Sequence, residues 1–535
     1  MRDGVKLVGE IYFPDGQPTF SSVLYRTPYG RDNSEQTNGY SHIFTSKGFV
    51  FLNFDVRGRG DSEGVFIPRF NEGKDGYDMI EWIAKQPWSN GKIGTFGSSY
   101  SAEIQWLTAL EKPPHLAAMI SIVSPSDPFV ESPTGVPDPM HLSWRYSVTG
   151  RTLKDQDGVD WRLIYNVLPL KDMPKAAGLS LPDWDEACAH QTFDAYWDNI
   201  SYQQKFNRID VPVLHISGWY DDEQIGTFIN YTGMRNNSAS ESSRQNQMIV
   251  IGPWGHSVNS TRKLGQIDFG PEALIDLSSI ETAWFKRWLN EENVQVGKRA
   301  KIFLMGKNKW MEFDDWPPKE TRSSRLFISS NGSAKGSRGR GDLFWSVGEI
   351  LDGEDQYFYD PNNPTPYVTQ MTAKQIGGPD DFSSVEWRDD VLTYTSSVLE
   401  EEVTFLGKVE ADIFFKTSVK DTDFMAMLLD VWPNGFAQRL CDGMTRARYR
   451  NGMDKQEFLK EGQIYELKIN MWNTGHSFKK GHKIRIHICS AAFPKYSRNL
   501  NTGLDLATDS NAEIADTKII HSKTHPSNVS FFLYK

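Results

Sequence analysis

GTFGSSYSAE, residues 94–103, is the stretch on which the reading of this chain turns. Lys92–Phe96 is a short apolar strand, Gly-Ser-Ser-Tyr is a turn, and Ser101–Leu110 follows as a helix. A strand, a sharp turn and a helix in that order are the setting of a nucleophile elbow, whose usual form is G-x-S-x-G. Ser99 would stand at the tip of the turn. Gly97 supplies the space, and Ser101-Ala102 replaces the second glycine. The helix N-terminus behind the serine favours developing negative charge. The plainer reading is a serine-rich turn before a helix, and only the wider context separates the two.

Outward from this segment, strands and helices alternate. Val5–Phe13, Ser22–Tyr25, Phe49–Val56 and Leu116–Val123 read as strands, and Gly76–Gln86 as a helix. The rhythm lapses from Ser126 to Phe206, a stretch rich in Pro, Trp and Asp with amphipathic pieces at Trp161–Leu168 and Trp184–Ala189. It resumes with the strands in VPVLHISGWYD and QMIVIGPWGH and a helix over Ile280–Leu289. Such alternation predicts a mostly parallel sheet covered by helices. Beyond Trp316-Pro317-Pro318 the pattern becomes one of short strands, among them RLFIS, WSV, LTYTSS, VEADIFFKTS, FMAMLLDVW, IYELKINMW, HKIRIHICS and VSFFLYK. Many strands without a long helix predict an antiparallel sandwich or jelly roll. NGSAKGSRGRG, 331–341, reads as an exposed loop. The expected fold is α/β: an α/β-hydrolase domain over 1–125 and 207–318, a helical cap inserted at 126–206, and an all-β jelly roll over 319–535.

Composition narrows the function. The chain has 535 residues, 39% hydrophobic and 24% charged, as in a multidomain globular protein. A net charge of −11 without a basic run argues against nucleic acid. Cys188, Cys441 and Cys489 are far apart and form no metal-ligand spacing, so neither a zinc site nor a disulfide framework is expected. No apolar run reaches the length of a membrane span, and MRDGVKLVGEIYFP lacks the apolar core of a signal peptide. The expectation is a cytoplasmic protein with no cofactor, no metal and no membrane partner, acting on a small molecule, with a homodimer also entertained.

A serine hydroxyl needs a base to become a nucleophile. In α/β-hydrolases the chain order is serine, acid, histidine. Asp221 follows the strand in VPVLHISGWY and His256 follows that in MIVIGPW, so both fall at carboxyl ends of strands, as Ser99 does. His256 would take the serine proton and Asp221 would orient the imidazole. Asp222 and Glu223 adjoin Asp221 and are rival acids; His215, inside a buried strand, reads as structural.

These residues resemble a known family, the cocaine esterase / X-prolyl dipeptidyl-peptidase-like hydrolases. The resemblance rests on RDGVKL, YRTPYG (25–30), DVRGRGDSEG (55–64), GSSY (97–100), GWYD (218–221) and GPWGH (252–256), with DTDFMAMLLDVWPNG, LCDGMTRARYR and FPKYSRNLNTG further on. It implies the triad Ser99, Asp221 and His256. It also implies an oxyanion hole made of the Tyr100 backbone N–H and the Tyr29 phenol. The implied activity is cleavage of a carboxylic ester through an acyl-serine. Amidase or acylase, X-prolyl dipeptidyl-peptidase and α-amino-acid ester hydrolase activities are alternatives, and a carbohydrate-binding jelly roll is the non-enzymatic one. Asp222 and Glu223 depart from the cocaine esterase pattern, which has a small residue and an aromatic there. With Trp219 they are candidate substrate contacts, and the acidic pair would attract an amine. The blander reading of that pair is two solvated surface carboxylates. The cap differs and is shorter, so benzoyl specificity is not carried over.

Overall fold

The computed structural model describes residues 1–16, 18–32, 34–336, 341–369 and 377–535, without the side chains of 34–38. The loop expected at 331–341 lies partly outside the described residues, at 337–340.

Seven strands, β1 (Gly9–Tyr12), β2 (Phe20–Thr27), β3 (Val50–Asp55), β4 (Ser89–Ser98), β5 (Leu116–Ile122), β6 (Val213–Gly218) and β7 (Gln247–Gly252), belong to one nine-stranded sheet. Their order is β1-β3-β2-β4-β5-β6-β7, completed by Ala300–Leu304 and Lys309–Phe313. Neighbours from β3 through Ala300–Leu304 are parallel, and the two edges are antiparallel. Every residue of β2, β6 and β7 is buried, which is why VLY in β2, VL and I in β6 and MIVI in β7 show no alternation with exposed polar residues. Helices α1 (Ser34–Thr45), α2 (Glu72–Ala84) and α3 (Tyr100–Leu110) follow β2, β3 and β4. In α3 everything from Tyr100 to Ala109 is buried, so this helix lies at the centre of the domain and cannot shift without moving its N-terminus.

Three elements were not expected. The helix Gln224–Asn237 contains two glycines, two threonines and three asparagines, a composition of low helix propensity that hides it from periodicity; burial of Ile225, Phe228, Tyr231 and Met234 holds it. The edge strands Ala300–Leu304 and Lys309–Phe313 form a hairpin that extends the sheet. The segment WSV is not a strand: a 3₁₀ turn occupies Val347–Glu349, and Trp345 and Val347 are exposed.

The described residues of 126–206 contain helices and no strand. They include α4 (Pro128–Glu131), α5 (His141–Val148), Trp161–Tyr165, Pro182–Ala189 and Ala195–Asp198. Helices this short are not stable alone. They bury Met140, Trp161, Tyr165 and Trp184 in one apolar cluster with Met425, Met427 and Leu429 of a C-terminal strand and Tyr496 of a C-terminal loop. The C-terminal strands make an eleven-stranded, mostly antiparallel, jelly-roll-type sheet around a separate core that includes Ile413, Phe415, Phe424 and Ile486. A buried arginine fastens cap to strands. Arg446, fully buried, bonds both oxygens of Asp423 at 2.8 and 2.9 Å and donates through Nη1 to the Thr134 carbonyl at 2.6 Å.

Arg446→Ala leaves Asp423 charged and unpaired, and breaking such a pair costs about 3–5 kcal/mol. Urea unfolding followed by tryptophan fluorescence should show that loss. A change below about 1 kcal/mol, the size of an exposed pair, would contradict the anchoring role.

Candidate active site

Ser99 follows β4 with φ 58° and ψ −131°, a conformation that side-chain-bearing residues rarely adopt. The strain is held from both sides. The Ser99 N–H donates to the Ile122 carbonyl at 3.0 Å, and its carbonyl accepts from Ala102 and Glu103 at 2.8 and 3.1 Å. Gly97 is required because a Cβ there would lie 2.5 Å from the Ser101 carbonyl oxygen. Tyr100 is the first residue of α3, so its N–H is one of the donors with no partner inside the helix.

Asp221 and His256 are brought together by backbone. The N–H groups of Trp219 and Tyr220 donate to the carbonyls of Gly252 and Trp254, both at 2.9 Å, which ties the loop after β6 to the loop after β7. A Cβ on Gly218 would sit 2.1 Å from the Trp254 carbonyl oxygen, so only glycine permits the approach. Asp221 Oδ1 then meets His256 Nδ1 at 2.9 Å. The Asp221 carboxylate is fully buried and also accepts from Ser217 Oγ at 2.6 Å and the Glu223 N–H at 3.2 Å. Ser99 and His256 line one cavity of about 790 Å³.

Tyr29 reaches Ser99 from the loop after β2, its hydroxyl 3.4 Å from Ser99 Oγ. Burial pushes this phenol up to about 12, so it keeps its proton and remains a donor. Two residues that the sequence does not single out hold it. Trp144, on α5, donates its indole N–H to the Tyr29 hydroxyl at 3.3 Å. Arg59, buried, donates to the Pro28 carbonyl and to the Val148 carbonyl, each at 2.7 Å, and so ties the Tyr29 loop to the end of α5. The turn that carries Arg59, within DVRGRGDSEG, is thus a brace between sheet and cap.

Asp222 and Glu223 are not a solvated surface pair. Both line the cavity, and Asp222 Oδ1 and Glu223 Oε2 are buried with no hydrogen-bond partner. Glu131, the last residue of α4, joins them. Glu131 and Glu223 share a hydrogen bond; burial and the charge of Asp222 raise Glu131, and burial and the charge of Glu131 raise Glu223. Burial and the charge of Asp221 push Asp222 up to about 6. Glu131 could not be found from sequence, since it lies 90 residues from Asp221 in a cap without a motif. For His256, burial disfavours the imidazolium, but the hydrogen bond and charge of Asp221, with the charges of Asp222 and Glu131, outweigh it and raise the group to about 9.

Trp219 is a correction. It is buried and absent from the cavity wall. Its indole N–H donates to the Phe303 carbonyl at 2.6 Å, and its ring stacks on Phe228 and lies against Gly475 of the C-terminal strands. Adjacency to Asp221 in sequence is misleading here because the turn after β6 sends the two side chains opposite ways. His215 is structural: it bonds Gln247 at 3.1 Å, stacks on Trp106, and burial drives it down to about 3. Cys188, Cys441 and Cys489 are free and buried. Among the described residues, Asp221, Asp222 and His256 bring ligand atoms within 4.8 Å of one another, as a metal site does. The Asp221–His256 hydrogen bond already accounts for that grouping. No helix among the described residues is long and apolar enough to cross a membrane.

A serine on a strained turn, a carboxylate–imidazole pair and a tyrosine donor around one cavity on an α/β sheet define the serine hydrolases of the α/β-hydrolase fold. Residues 3–258 match the X-Pro dipeptidyl-peptidase (S15) family, and 293–530 match the X-Pro dipeptidyl-peptidase C-terminal non-catalytic domain. The chain is 31% identical to the cocaine esterase of Rhodococcus sp. strain MB1 Bresler, over 99% of this chain and 96% of that protein. It therefore belongs to the cocaine esterase / X-prolyl dipeptidyl-peptidase-like (CocE/NonD) hydrolase family. Two solved structures share the fold across the whole chain, each at 24% identity and covering 95% of the other protein. They are an aminopeptidase from a marine sediment Thaumarchaeota archaeon (TM-score 0.88) and an α-amino acid ester hydrolase (TM-score 0.87).

Only the neutral imidazole can accept the serine proton, so kcat/KM toward a neutral ester should rise with pH through the His256 ionisation, near pH 9. Asp222→Asn removes a charge that favours the imidazolium, and the rising limb should move to lower pH. A pH–rate profile whose limb stays in place, or moves to higher pH, would contradict this coupling.

Proposed function

We propose that the protein hydrolyses small carboxylic esters whose acyl part carries a protonated amine, with Ser99 as nucleophile. His256 takes the Ser99 proton as Oγ attacks the ester carbonyl, and Asp221 holds the imidazole in orientation and stabilises its charged form. The carbonyl oxygen becomes an oxyanion, which the Tyr100 N–H and the Tyr29 hydroxyl receive. His256 returns the proton to the leaving alcohol, and an acyl-serine remains. Water then attacks that ester with His256 again as base, releasing the acid and restoring Ser99.

The observation that carries the amine preference is the placement of Glu131, Asp222 and Glu223 in the wall shared with Ser99 and His256, with buried oxygens on Asp222 and Glu223 left without partners. Buried carboxylates without donors are costly. An ammonium group supplies three donors and a compensating charge. Its arrival also opposes the carboxylates that raise His256, which frees the imidazole to act as base. The cavity volume, about 790 Å³, suits a small molecule. We read the domains as first set out: a hydrolase domain over 1–125 and 207–318, a cap over 126–206 and a structural β-domain over 319–535.

A fluorophosphonate probe should label Ser99, and Ser99→Ala should abolish hydrolysis of p-nitrophenyl butyrate; retained turnover would refute the mechanism. In matched pairs of neutral and ammonium-bearing esters, the cationic member should have the higher kcat/KM. The advantage should shrink about tenfold in Glu223→Gln, the scale of one charged hydrogen bond. It should also fade below about pH 6, where Asp222 takes up a proton. A wild-type enzyme indifferent to substrate charge would end the amine reading while leaving the serine mechanism standing.

A further inference from the structure

Arg69 stands in the same cavity wall as Ser99 and His256. Its φ is 76°, a left-handed value rare for any residue with a side chain. The backbone N–H is held by the Tyr100 hydroxyl at 2.8 Å, and that hydroxyl is itself 3.1 Å from Glu72 Oε1. The side chain is pinned at one point: Nε donates to Glu103 Oε1 at 2.5 Å. Glu103 lies one helical turn beyond Ser99 on α3 and is buried. The terminal nitrogens Nη1 and Nη2 make no hydrogen bond to the described residues.

A second guanidinium lines the same cavity. Arg145, on α5, bonds Asp183 through Nη2 at 2.7 and 2.6 Å, while its Nη1 is buried and without a partner. The two groups therefore place two cations in one cavity wall, each paired on one side only. A guanidinium is a planar fork of five donors that matches a carboxylate in geometry and charge. Leaving its N–H groups unpaired in a partly buried wall is costly unless a ligand completes them.

We propose that Arg69, with Arg145, forms an anion subsite that receives a carboxylate of the substrate, so that the favoured substrate is a zwitterion. Its ammonium meets Glu131, Asp222 and Glu223, and its carboxylate meets Arg69. This rests on the reading of the cavity as the substrate site of a serine ester hydrolase. It adds a second charged anchor to that reading and fixes the substrate by two opposite charges rather than one.

The test compares p-nitrophenyl butyrate with two carboxylated esters: 3-carboxy-4-nitrophenyl butyrate, charged on the leaving group, and mono-4-nitrophenyl glutarate, charged on the acyl chain. At least one should exceed the neutral ester in kcat/KM, by about tenfold for one charge-assisted contact. Arg69→Gln should erase that ratio, which is internal to each enzyme and so independent of how much protein is active. No carboxylate advantage in the wild type, or an advantage that survives Arg69→Gln, overturns the subsite. A variant that fails to fold does not block the test, because titration calorimetry of the unaltered enzyme compares phenylacetate with its isostere phenylacetamide. Tighter binding of the anion, weakened by added salt, supports the subsite, and equal binding overturns it. Calorimetry needs no turnover. An enzyme that binds phenylacetate but neither reacts with fluorophosphonate nor hydrolyses any ester would sink the hydrolase reading and leave the anion subsite intact.

Discussion

The crossing of two backbone loops at Gly218 is the constraint on which the site depends. The loop after β6 and the loop after β7 approach so closely that the Trp254 carbonyl occupies the space a side chain at 218 would need. Two backbone hydrogen bonds, from Trp219 and Tyr220 to Gly252 and Trp254, hold the loops in that register. The Asp221–His256 hydrogen bond follows from it. Side-chain rotamers alone would not place a buried carboxylate so firmly. A backbone lock does, because each N–H and carbonyl taken from water has to find a partner. Ser99 is fixed by an independent but similar device, a strained turn clamped between the end of β5 and the first turn of α3.

The wall of the cavity carries charges of both signs, with Glu131 acting on Arg69 as well as on His256. Asp221, with the charges of Asp222 and Glu131, outweighs burial and favours the charged imidazole of His256. Arg69 and Arg145 add positive charge to the same wall, Arg69 paired with the buried Glu103 and Arg145 with the partly exposed Asp183. Oppositely charged regions within one low-dielectric cavity orient a substrate more strongly than apolar contact does, since charge interactions are least screened there. The cap supplies much of this. Glu131, Trp144 and Arg145 all come from it, and its short helices are ordered by packing, much of it on the C-terminal strands. The β-domain thus bears on the chemistry indirectly, by giving the cap a surface to fold against.

How far the sequence reveals the protein depends on the range of the interaction involved. Ser99, Asp221 and His256 are legible because each follows an apolar strand in a fold with a fixed chain order, and the structure bonds Asp221 to His256 and puts Ser99 and His256 in the wall of one cavity. Strands β6 and β7 are legible for a related reason, since burial on both faces calls for near-continuous apolar runs. The helix Gln224–Asn237 escapes because tertiary burial, not local propensity, makes it. Trp219 misleads because neighbours in a chain need not face the same side of a turn.

The sequence by itself determined the class of chemistry. A serine on a strand–turn–helix, an acid and a histidine at later strand ends, and a change of periodicity beyond Trp316 are local patterns that require no coordinates. Only the tertiary structure decided what the cavity is built to hold. Glu131, Asp222 and Glu223 converge from distant segments, and Arg69 and Arg145 do the same. Their burial, their missing partners and the resulting charge pattern are properties of the folded wall, set by packing between chain segments that no local pattern connects.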